Sequence, residues 1–343
     1  MKLKFLLFIF IVFFNANALA EEPRVCLILD KGGKDDKSFN QSAYEGFLKA
    51  KKDFSLSSES KYVTVREDAQ SSQFIRTFST EKCGLIIAIG FNNADVVGQI
   101  APQFPAQNYA VVDSSVKGNN IRAITFEEHE GAFLMGAIAA IKTKTQKVGF
   151  VGGMEIPLIK RFQMGFEAGA KYINPKIQVS QSFVGVTSSA WNNPTKAKEL
   201  ALSMYGQQGI DIIFVAAGAS SQGVFDAVEQ ANKNVTQVKK YVIGVDSNQN
   251  YIAPGMVLTS MEKKVDFEVY KTIESFVEKK FTSGVMTYGF KDGGVNWALD
   301  KYNQNLFTSA EIHKINLIKT DVIKGKIQVP DYYKVIKTTP TSP

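Results

Sequence analysis

Short apolar runs separated by amphipathic stretches recur along the chain. A first series of apolar runs predicts strands at 25–29, 62–65, 85–89 and 109–112. A second series predicts strands at 148–151, 177–184, 210–215 and 241–245. The stretches between them predict helices at 38–53, 71–80, 93–101, 130–142, 159–172, 194–205 and 221–233. Because strands that alternate with helices form parallel sheets through right-handed crossovers, the pattern predicts an α/β fold with two doubly wound, Rossmann-like lobes.

A strand pattern at 257–261 and a helix pattern at 265–280 follow the second series, and we expect them to return to the first lobe. The predicted lobes are an N-terminal one of residues 21–126 plus about 260–295 and a C-terminal one of residues 127–259 plus about 296–330, followed by a polar tail at 331–343. Several crossings between lobes are typical of a hinge. A single large doubly wound sheet is the alternative arrangement.

The first twenty residues have the features of a secretory signal peptide. Lys2 and Lys4 precede an apolar run at 5–14, which is too short to span a bilayer. Ala18-Leu19-Ala20 then provides a signal-peptidase site, so we expect cleavage after Ala20 and export of the mature chain. Glu21 follows the site where a lipoprotein would carry cysteine, so we expect no lipid anchor. An uncleaved membrane anchor is the alternative.

Composition excludes several classes of function. The chain has 2 Cys and 2 His residues, too few for a zinc-finger array or an iron–sulfur cluster held by four thiolates. Cys26 and Cys83 could pair in an oxidising compartment, and the sequence leaves open a disulfide or two buried thiols. The net charge of +7 comes from dispersed lysines with no basic stripe among aromatics, so we expect no nucleic-acid partner.

Three of the predicted strands end in an aspartate, at Asp30, Asp113 and Asp246. Ligands of open parallel sheets bind outside the carboxyl ends of the strands. A carboxylate accepts two hydrogen bonds, which suits a vicinal diol or the N–H groups of a heterocycle. The alternative for each aspartate is a loop or helix cap. Other strands end in a small residue that lets a ligand approach the backbone, at Gly90, Gly152 and Gly218.

Two aromatic residues are candidates for holding a flat ring. Phe39 lies in the first turn of a predicted helix, and Trp191 lies in a polar loop at 188–194. One aromatic from each lobe would clamp a ring by stacking, although Phe39 is also compatible with core packing. Gly32-Gly33 matches neither GxGxxG nor a P-loop, so no phosphorylated ligand is predicted.

The segment LDKGGKDDKSFNQ at 29–41 resembles the opening of the basic membrane protein (BMP) family. These are extracytoplasmic substrate-binding proteins of ABC transporters and include purine-nucleoside receptors. The resemblance continues through EGAFLMG at 130–136, VGFVGGM at 148–154, RFQMGF at 161–166, IGVDSNQ at 243–249, LTSMEKKVD at 258–266 and KDGG at 291–294. It covers nearly the whole chain and implies the type I periplasmic binding protein fold, with two lobes joined by a multi-crossing hinge.

The resemblance also implies roles for individual residues in a nucleoside site. On the base, Asp30 lies near the ring, Phe39 stacks on it and Asp113 accepts from its edge. Trp191 stands where many relatives have phenylalanine and implies the second stacking face. The ribose is implied to contact Gly218, Asp246 and Lys263, with Lys264 as the alternative lysine, and Asn40 is implied to add a polar contact.

The function expected from this resemblance is a solute receptor without enzymatic activity, metal or cofactor. Its lobes would close on adenosine, guanosine or inosine and deliver the nucleoside to ABC permease subunits, with the receptor acting as a monomer. One alternative is a sensor for the same ligands. Another is an exported nucleoside hydrolase, which would need a metal or an acid–base pair. The strand-end aspartates could be recruited for it, and residues 127–130 with His129 form a second candidate cluster, although that segment is also typical of a charged hinge and the first turn of a helix.

Overall fold

The computed structural model describes residues 22–233 and 238–338. The predicted signal peptide at 1–20 lies outside the described residues. Within the described ranges, no helix combines the length and apolar character needed to cross a membrane.

Strands and helices alternate along most of the described chain. In chain order the strands are β1 (Val25–Leu29), β2 (Lys61–Thr64), β3 (Leu85–Ile89), β4 (Asn108–Val112), β5 (Ile121–Phe126), β6 (Lys147–Met154), β7 (Gln178–Gly185), β8 (Ile212–Ala216), β9 (Tyr241–Asp246), β10 (Val257–Lys263), β11 (Gly284–Tyr288) and β12 (Val295–Trp297). The helices are α1 (Phe39–Asp53), α2 (Gln70–Thr80), α3 (Ala94–Ile100), α4 (Glu128–Lys142), α5 (Pro157–Ile173), α6 (Pro194–Gly206), α7 (Ser221–Asn232), α8 (Val265–Val277), α9 (Ser309–Ile323) and α10 (Tyr332–Thr338).

The strands form two 6-stranded sheets. The first has the order β11-β5-β4-β3-β1-β2, and its strands pair in parallel. The second has the order β12-β10-β9-β8-β6-β7, in which β12 runs antiparallel to β10. The prediction of two doubly wound lobes is therefore confirmed, and the alternative of a single large sheet is wrong.

Burial explains why the strands read as continuous apolar runs. Every residue of β1, β3 and β8 is buried, because helices cover both faces of each parallel sheet. The largest buried cluster contains residues of both lobes, and within it helix α4 packs tightly on α5. Glycines allow this approach: a β-carbon at Gly136 would lie 1.9 Å from the carbonyl oxygen of Phe166.

The strand pattern at 257–261 does not return to the first lobe as expected. It forms β10, which pairs with β9 in the second sheet. Helix α8 packs on α1, and β11 pairs with β5, so these later elements complete the first lobe. The chain therefore passes between the sheets after β5, after β10 and after β11. The numerical lobe boundaries stay a prediction.

The first part of the segment predicted as a polar tail at 331–343 has regular structure. Residues Tyr332–Thr338 form helix α10, which packs on α5. Asp331 is buried, and its Oδ1 accepts from Arg161 Nε at 2.8 Å. A buried partner for an arginine anchors this segment, which the polar composition alone did not indicate.

Cys26 and Cys83 form a disulfide, with Cα atoms 6.0 Å apart. Cys26 lies on β1, and Cys83 lies just before the neighbouring strand β3. Both side chains are fully buried. The bridge spans a sequence separation of 57 residues and constrains the unfolded first lobe, an effect typically worth about 2–4 kcal/mol.

Candidate functional site

A cavity lies between the lobes at the carboxyl ends of the parallel strands. It encloses about 560 Å³ of unfilled space, including its opening to solvent. The structure brings all of the residues predicted for the site to its wall, which are Asp30, Phe39, Asn40, Asp113, Trp191, Gly218, Asp246 and Lys263.

Four of the strand ends at this cavity share an unusual backbone conformation. Asp113 has φ 71° and Asp246 has φ 66°, and the corresponding glycines are Gly90 with φ 97° and Gly218 with φ 57°. Glycine adopts this left-handed region freely, whereas a non-glycine residue there costs about 1–3 kcal/mol. Strained residues are common at functional sites, and Asp113 and Asp246 are the non-glycine residues with positive φ that line this cavity.

Lys263 joins the two lobes at the centre of the cavity. Its Nζ lies 2.6 Å from Asp113 Oδ2 of the first lobe and 3.4 Å from Asp246 Oδ1 of the second. Burial alone would lower the pKa of Lys263, but the charges of Asp113 and Asp246 outweigh it and raise the pKa. Burial raises the pKa of Asp113, and Lys263 only partly offsets this. The lysine therefore stays charged and holds both carboxylates.

Asp30 differs from the other two aspartates of the cavity. Asp113 and Asp246 form ion pairs with Lys263, whereas Asp30 forms no ion pair within the described residues. Burial raises the pKa of Asp30 to about 6, and the backbone hydrogen bond from Lys31 opposes the shift. That bond runs from Lys31 N to Asp30 Oδ1 at 2.7 Å. At neutral pH the carboxylate is mostly ionised, and it presents only acceptors to the cavity.

The two predicted aromatic residues reach the cavity from different lobes. Phe39 begins α1, and Trp191 lies in a short 3-10 turn at Ser188–Asn192. The Lys263 ammonium lies 4.6 Å from the centre of the Phe39 ring. In the described chain, Trp191 Nε1 and Asp113 Oδ1 are buried and have no hydrogen-bond partner. An unpaired donor and an unpaired acceptor at one cavity suit a polar ligand, because buried polar groups are normally satisfied.

Asn40 lines the cavity with an amide that is already engaged. Its Oδ1 accepts from Asp30 N at 2.8 Å, and its Nδ2 donates to Asp36 Oδ2 at 2.9 Å. Asp36, which the sequence interpretation left without a role, also accepts from the backbone N–H groups of Ser38 and Gln41. These bonds satisfy the free N–H groups at the start of α1 and so fix the helix end that carries Phe39.

The sequence interpretation missed the apolar part of the cavity wall, which consists of Phe91, Leu158, Ile159 and Phe162 together with Ala216 and Val245. Three of these residues lie on one face of α5, where periodicity cannot distinguish a ligand contact from a core contact. The only available signal was that Phe162 falls within the 161–166 segment that carries the family resemblance.

Hydrogen bonds join the two lobes directly. Ser38 Oγ donates to Asp246 Oδ2 at 2.6 Å, and Ser188 Oγ donates to Asp68 Oδ2 at 2.9 Å. Ser247 Oγ also donates to the Lys37 carbonyl oxygen at 2.9 Å. Each of these bonds joins one lobe to the other, so the arrangement is the closed one.

The family model for PnrA-like ABC transporter substrate-binding proteins matches residues 24–332. The chain belongs to this family. The BMP resemblance drawn from the sequence is thereby confirmed. Proteins of this family are the extracytoplasmic substrate-binding components of ABC transporters.

Several known proteins align with almost the full chain. The ABC transporter nucleoside-binding protein BmpA of Lactococcus lactis subsp. cremoris is 35% identical over 330 residues, which cover 92% of this chain and 91% of the relative. Basic membrane protein D of Borreliella burgdorferi is 35% identical, with 96% of this chain and 95% of the relative covered. A solute-binding protein of an ABC transporter system from Aeropyrum pernix superposes with a TM-score of 0.82 at 26% identity, covering 92% of this chain and 97% of that one.

The acidic cluster with His129 is an ion-pair network in this PnrA-like protein. Glu127, His129 and Asp331 place ligand-type atoms within 4.8 Å of one another. The Arg161 guanidinium lies among them, with Nη2 2.7 Å from Glu127 Oε2 and 2.9 Å from His129 Nδ1. Burial, followed by the charge of Arg161, lowers the pKa of His129 to about 4. Because a fixed cation already holds these groups, they do not suit a metal ion.

Proposed function

We propose that this substrate-binding protein binds a purine nucleoside in the interlobe cavity and delivers it to ABC permease subunits. One observation carries the proposal. The cavity combines three strand-end aspartates and one lysine with an aromatic side chain from each lobe. The name of the 35% identical lactococcal relative, a nucleoside-binding protein, supports the same ligand class.

The charge of the cavity favours a ligand rich in donors. Asp30, Asp113 and Asp246 outnumber the single cation of Lys263, so a phosphorylated ligand would meet net repulsion. A nucleoside instead offers hydroxyl groups and ring N–H groups without a negative charge. Carboxylates accept from such groups, often from two at once.

The proposed arrangement of the ligand separates base from sugar. Phe39 and Trp191 stack on the base, each contact being worth about 1–3 kcal/mol, while Asp30 and Asp113 accept from its edge. Asp246, Lys263 and the open backbone of Gly218 hold the ribose. Asn40 acts by fixing Asp30, in keeping with its engaged amide.

Binding is proposed to work by hinge closure. Ligand contacts to both lobes favour the closed form, which is also held by Ser38 to Asp246 and by Ser188 to Asp68. A permease that separates the lobes would break these bonds and release the nucleoside. We place this cycle in the periplasm, with the receptor acting as a monomer, and size-exclusion chromatography with light scattering tests the monomer.

Calorimetric titration of refolded, ligand-stripped protein tests the ligand class. The probes are adenosine, guanosine, inosine, uridine, ribose and adenine. We expect sub-micromolar to micromolar binding, about −8 kcal/mol or tighter, for a purine nucleoside and much weaker binding of ribose and adenine. Failure of all three purine nucleosides to bind contradicts the proposal.

Two variants test the site itself. Asp246→Ala and Trp191→Ala should each weaken binding by about tenfold or more, equivalent to about 1.4 kcal/mol. Gly206→Ala is the matched control, because a β-carbon there meets nothing within 4 Å. Unchanged affinity in both site variants contradicts the residue assignment. Loss of nucleoside uptake on deletion of the protein distinguishes transport from sensing.

A further inference from the structure

The indole of Trp191 rests directly on the backbone of Gly153 near the end of β6. A β-carbon at Gly153 would lie 2.3 Å from Cζ3 of the indole and 2.5 Å from its Cε3. Carbon atoms in contact are normally about 3.5–4.0 Å apart. The observed position of the ring therefore requires that residue 153 has no side chain.

The backbone conformation does not explain this glycine. Gly90 and Gly218 have positive φ, which favours glycine whatever surrounds them. Gly153 is not among the residues with positive φ and lies within a regular strand. Alanine could adopt its backbone conformation, so the contact with Trp191 is the constraint at this position.

The main chain on both sides of Trp191 is held in place. Ser220 is fully buried, and its Oγ donates to the Ala190 carbonyl oxygen at 2.7 Å. Ser220 Oγ in turn accepts from Asn193 N at 2.6 Å. Because these bonds fix the turn, added bulk at Gly153 cannot be relieved by withdrawal of the turn, and the indole itself must move.

We propose that Gly153 is a positioning residue that sets how far Trp191 projects into the interlobe cavity. Trp191 lines the cavity and Gly153 does not, so the indole lies between the glycine and the ligand space. A methyl group at 153 would displace the ring by about 1 Å toward that space and narrow it for a flat base. This inference rests on the proposed nucleoside function, whose stacking face Trp191 supplies.

A double-mutant cycle between the two positions tests the proposal. Calorimetry with adenosine, guanosine and inosine compares Gly153→Ala with the parent in the native and in the Trp191→Phe background. In the native background we expect Gly153→Ala to weaken nucleoside binding by about tenfold or more, because the added methyl group overpacks a tight contact. A phenyl ring is shorter than an indole and lacks Cζ3 and Cη2. In the Trp191→Phe background, Gly153→Ala should therefore weaken binding by only about threefold or less. Equal losses in both backgrounds overturn the proposal.

A second measurement is independent of any ligand. The protein has 2 Trp residues, so the indole N–H region of a ¹⁵N NMR spectrum should show resonances from Trp191 and Trp297, which Trp191→Phe assigns. Gly153→Ala should shift the Trp191 resonance and leave that of Trp297 in place. An unshifted Trp191 resonance overturns the proposal. Failure of every nucleoside to bind the parent protein would instead refute the proposed function while this spectrum still reports the contact.

Two controls keep the test decisive. Gly206→Ala should change neither the affinity nor the indole spectrum, because its β-carbon meets open space. If Gly153→Ala does not fold, recovery of folding by the added Trp191→Phe substitution supports the same contact. Failure of the double variant to fold as well shows that Gly153 is needed for another reason and overturns the proposal.

Discussion

Lys263 Nζ lies 2.6 Å from Asp113 Oδ2, and this bond connects the last residue of β10 in the second sheet to the end of β4 in the first. Both side chains are almost completely buried. Asp246 lies 3.4 Å from the same ammonium group, so one cation serves acidic residues from both lobes. Loss of this cation would leave the negative charges of Asp113 and Asp246 buried without compensation.

Lys263→Met should lower the free energy of unfolding of the ligand-free protein by about 3–5 kcal/mol. The reason is the uncompensated charge left on Asp113, since methionine retains most of the apolar stem of lysine. Adding Asp113→Asn to Lys263→Met should restore part of the loss. Urea unfolding gives the free energy of unfolding of both single variants and of the double variant. If the loss of stability in the double variant equals the sum of the two single losses within about 0.5 kcal/mol, the two residues do not interact.

Ser38→Ala should weaken nucleoside binding more than it destabilises the fold. Ser38 Oγ donates to Asp246 Oδ2 across the lobes, and a hydrogen bond to a charged group contributes about 1.5–3 kcal/mol. Because the bond joins the lobes only when they are closed, we expect about a tenfold loss of affinity for the purine nucleoside that binds best. Calorimetry and urea unfolding measure the two effects. Ser203→Ala is the control, because Ser203 Oγ donates to Gln207 at the exposed end of α6 and makes no bond between the lobes. A larger change in stability than in affinity for Ser38→Ala would contradict the prediction.

Asp331→Asn should destabilise the protein even though it lies in a segment whose composition is polar. Asp331 accepts from Arg161 at 2.8 Å, and loss of a charged hydrogen-bond partner for a buried arginine costs about 1–3 kcal/mol. Asp35→Asn is the matched control, because Asp35 is 82% exposed and its ion pair with Lys34 is on the surface. Equal unfolding midpoints in urea for both variants would contradict the anchoring role.

The contribution of Asp331 to the stability of the fold should depend on pH. Burial alone would raise the pKa of Asp331, but the charge of Arg161 outweighs it, so the net pKa is lowered from 3.8. A carboxyl group whose pKa is lower in the folded state stabilises the fold above its unfolded pKa and loses this contribution as the pH falls. The difference in stability between the parent protein and Asp331→Asn should therefore shrink below about pH 4.

Asp30→Asn should change the pH dependence of stability in the opposite sense. Burial raises the pKa of Asp30 from 3.8 to about 6, so the folded state binds the proton more tightly than the unfolded state. The cost of ionising Asp30 is absent below about pH 4, grows up to about pH 6 and is complete above it, reaching about 3 kcal/mol. Asparagine has no such cost, so Asp30→Asn should gain stability relative to the parent protein across this interval. Urea unfolding at a series of pH values measures the gap, and a gap that does not change between pH 4 and 7 would contradict the prediction.

Much of the site could be predicted because the ends of buried strands can be recognised in the sequence of a parallel α/β protein. Asp30, Asp113 and Asp246 each follow a buried apolar run, and parallel topology brings such ends to one edge. Lys263 required the family resemblance, since nothing in its local pattern marks a lysine that would be buried. Phe162 was not predicted as a site residue because its helical periodicity is the same for a core contact and for a cavity contact. Gly153 was not predicted because its contact with Trp191 joins segments distant in sequence.

The sequence by itself determined the alternation of strands and helices, the two-lobed fold and the identity of the strand-end residues, because these depend on local apolar periodicity. Only the tertiary structure decided that β10 joins the second sheet, that Cys26 pairs with Cys83, and that Asp331 is held by Arg161. It also showed that the indole of Trp191 lies against Gly153. Each of these is a contact between segments far apart in the chain, and a local pattern of hydrophobic and polar residues does not specify which distant segment fills the space beside it.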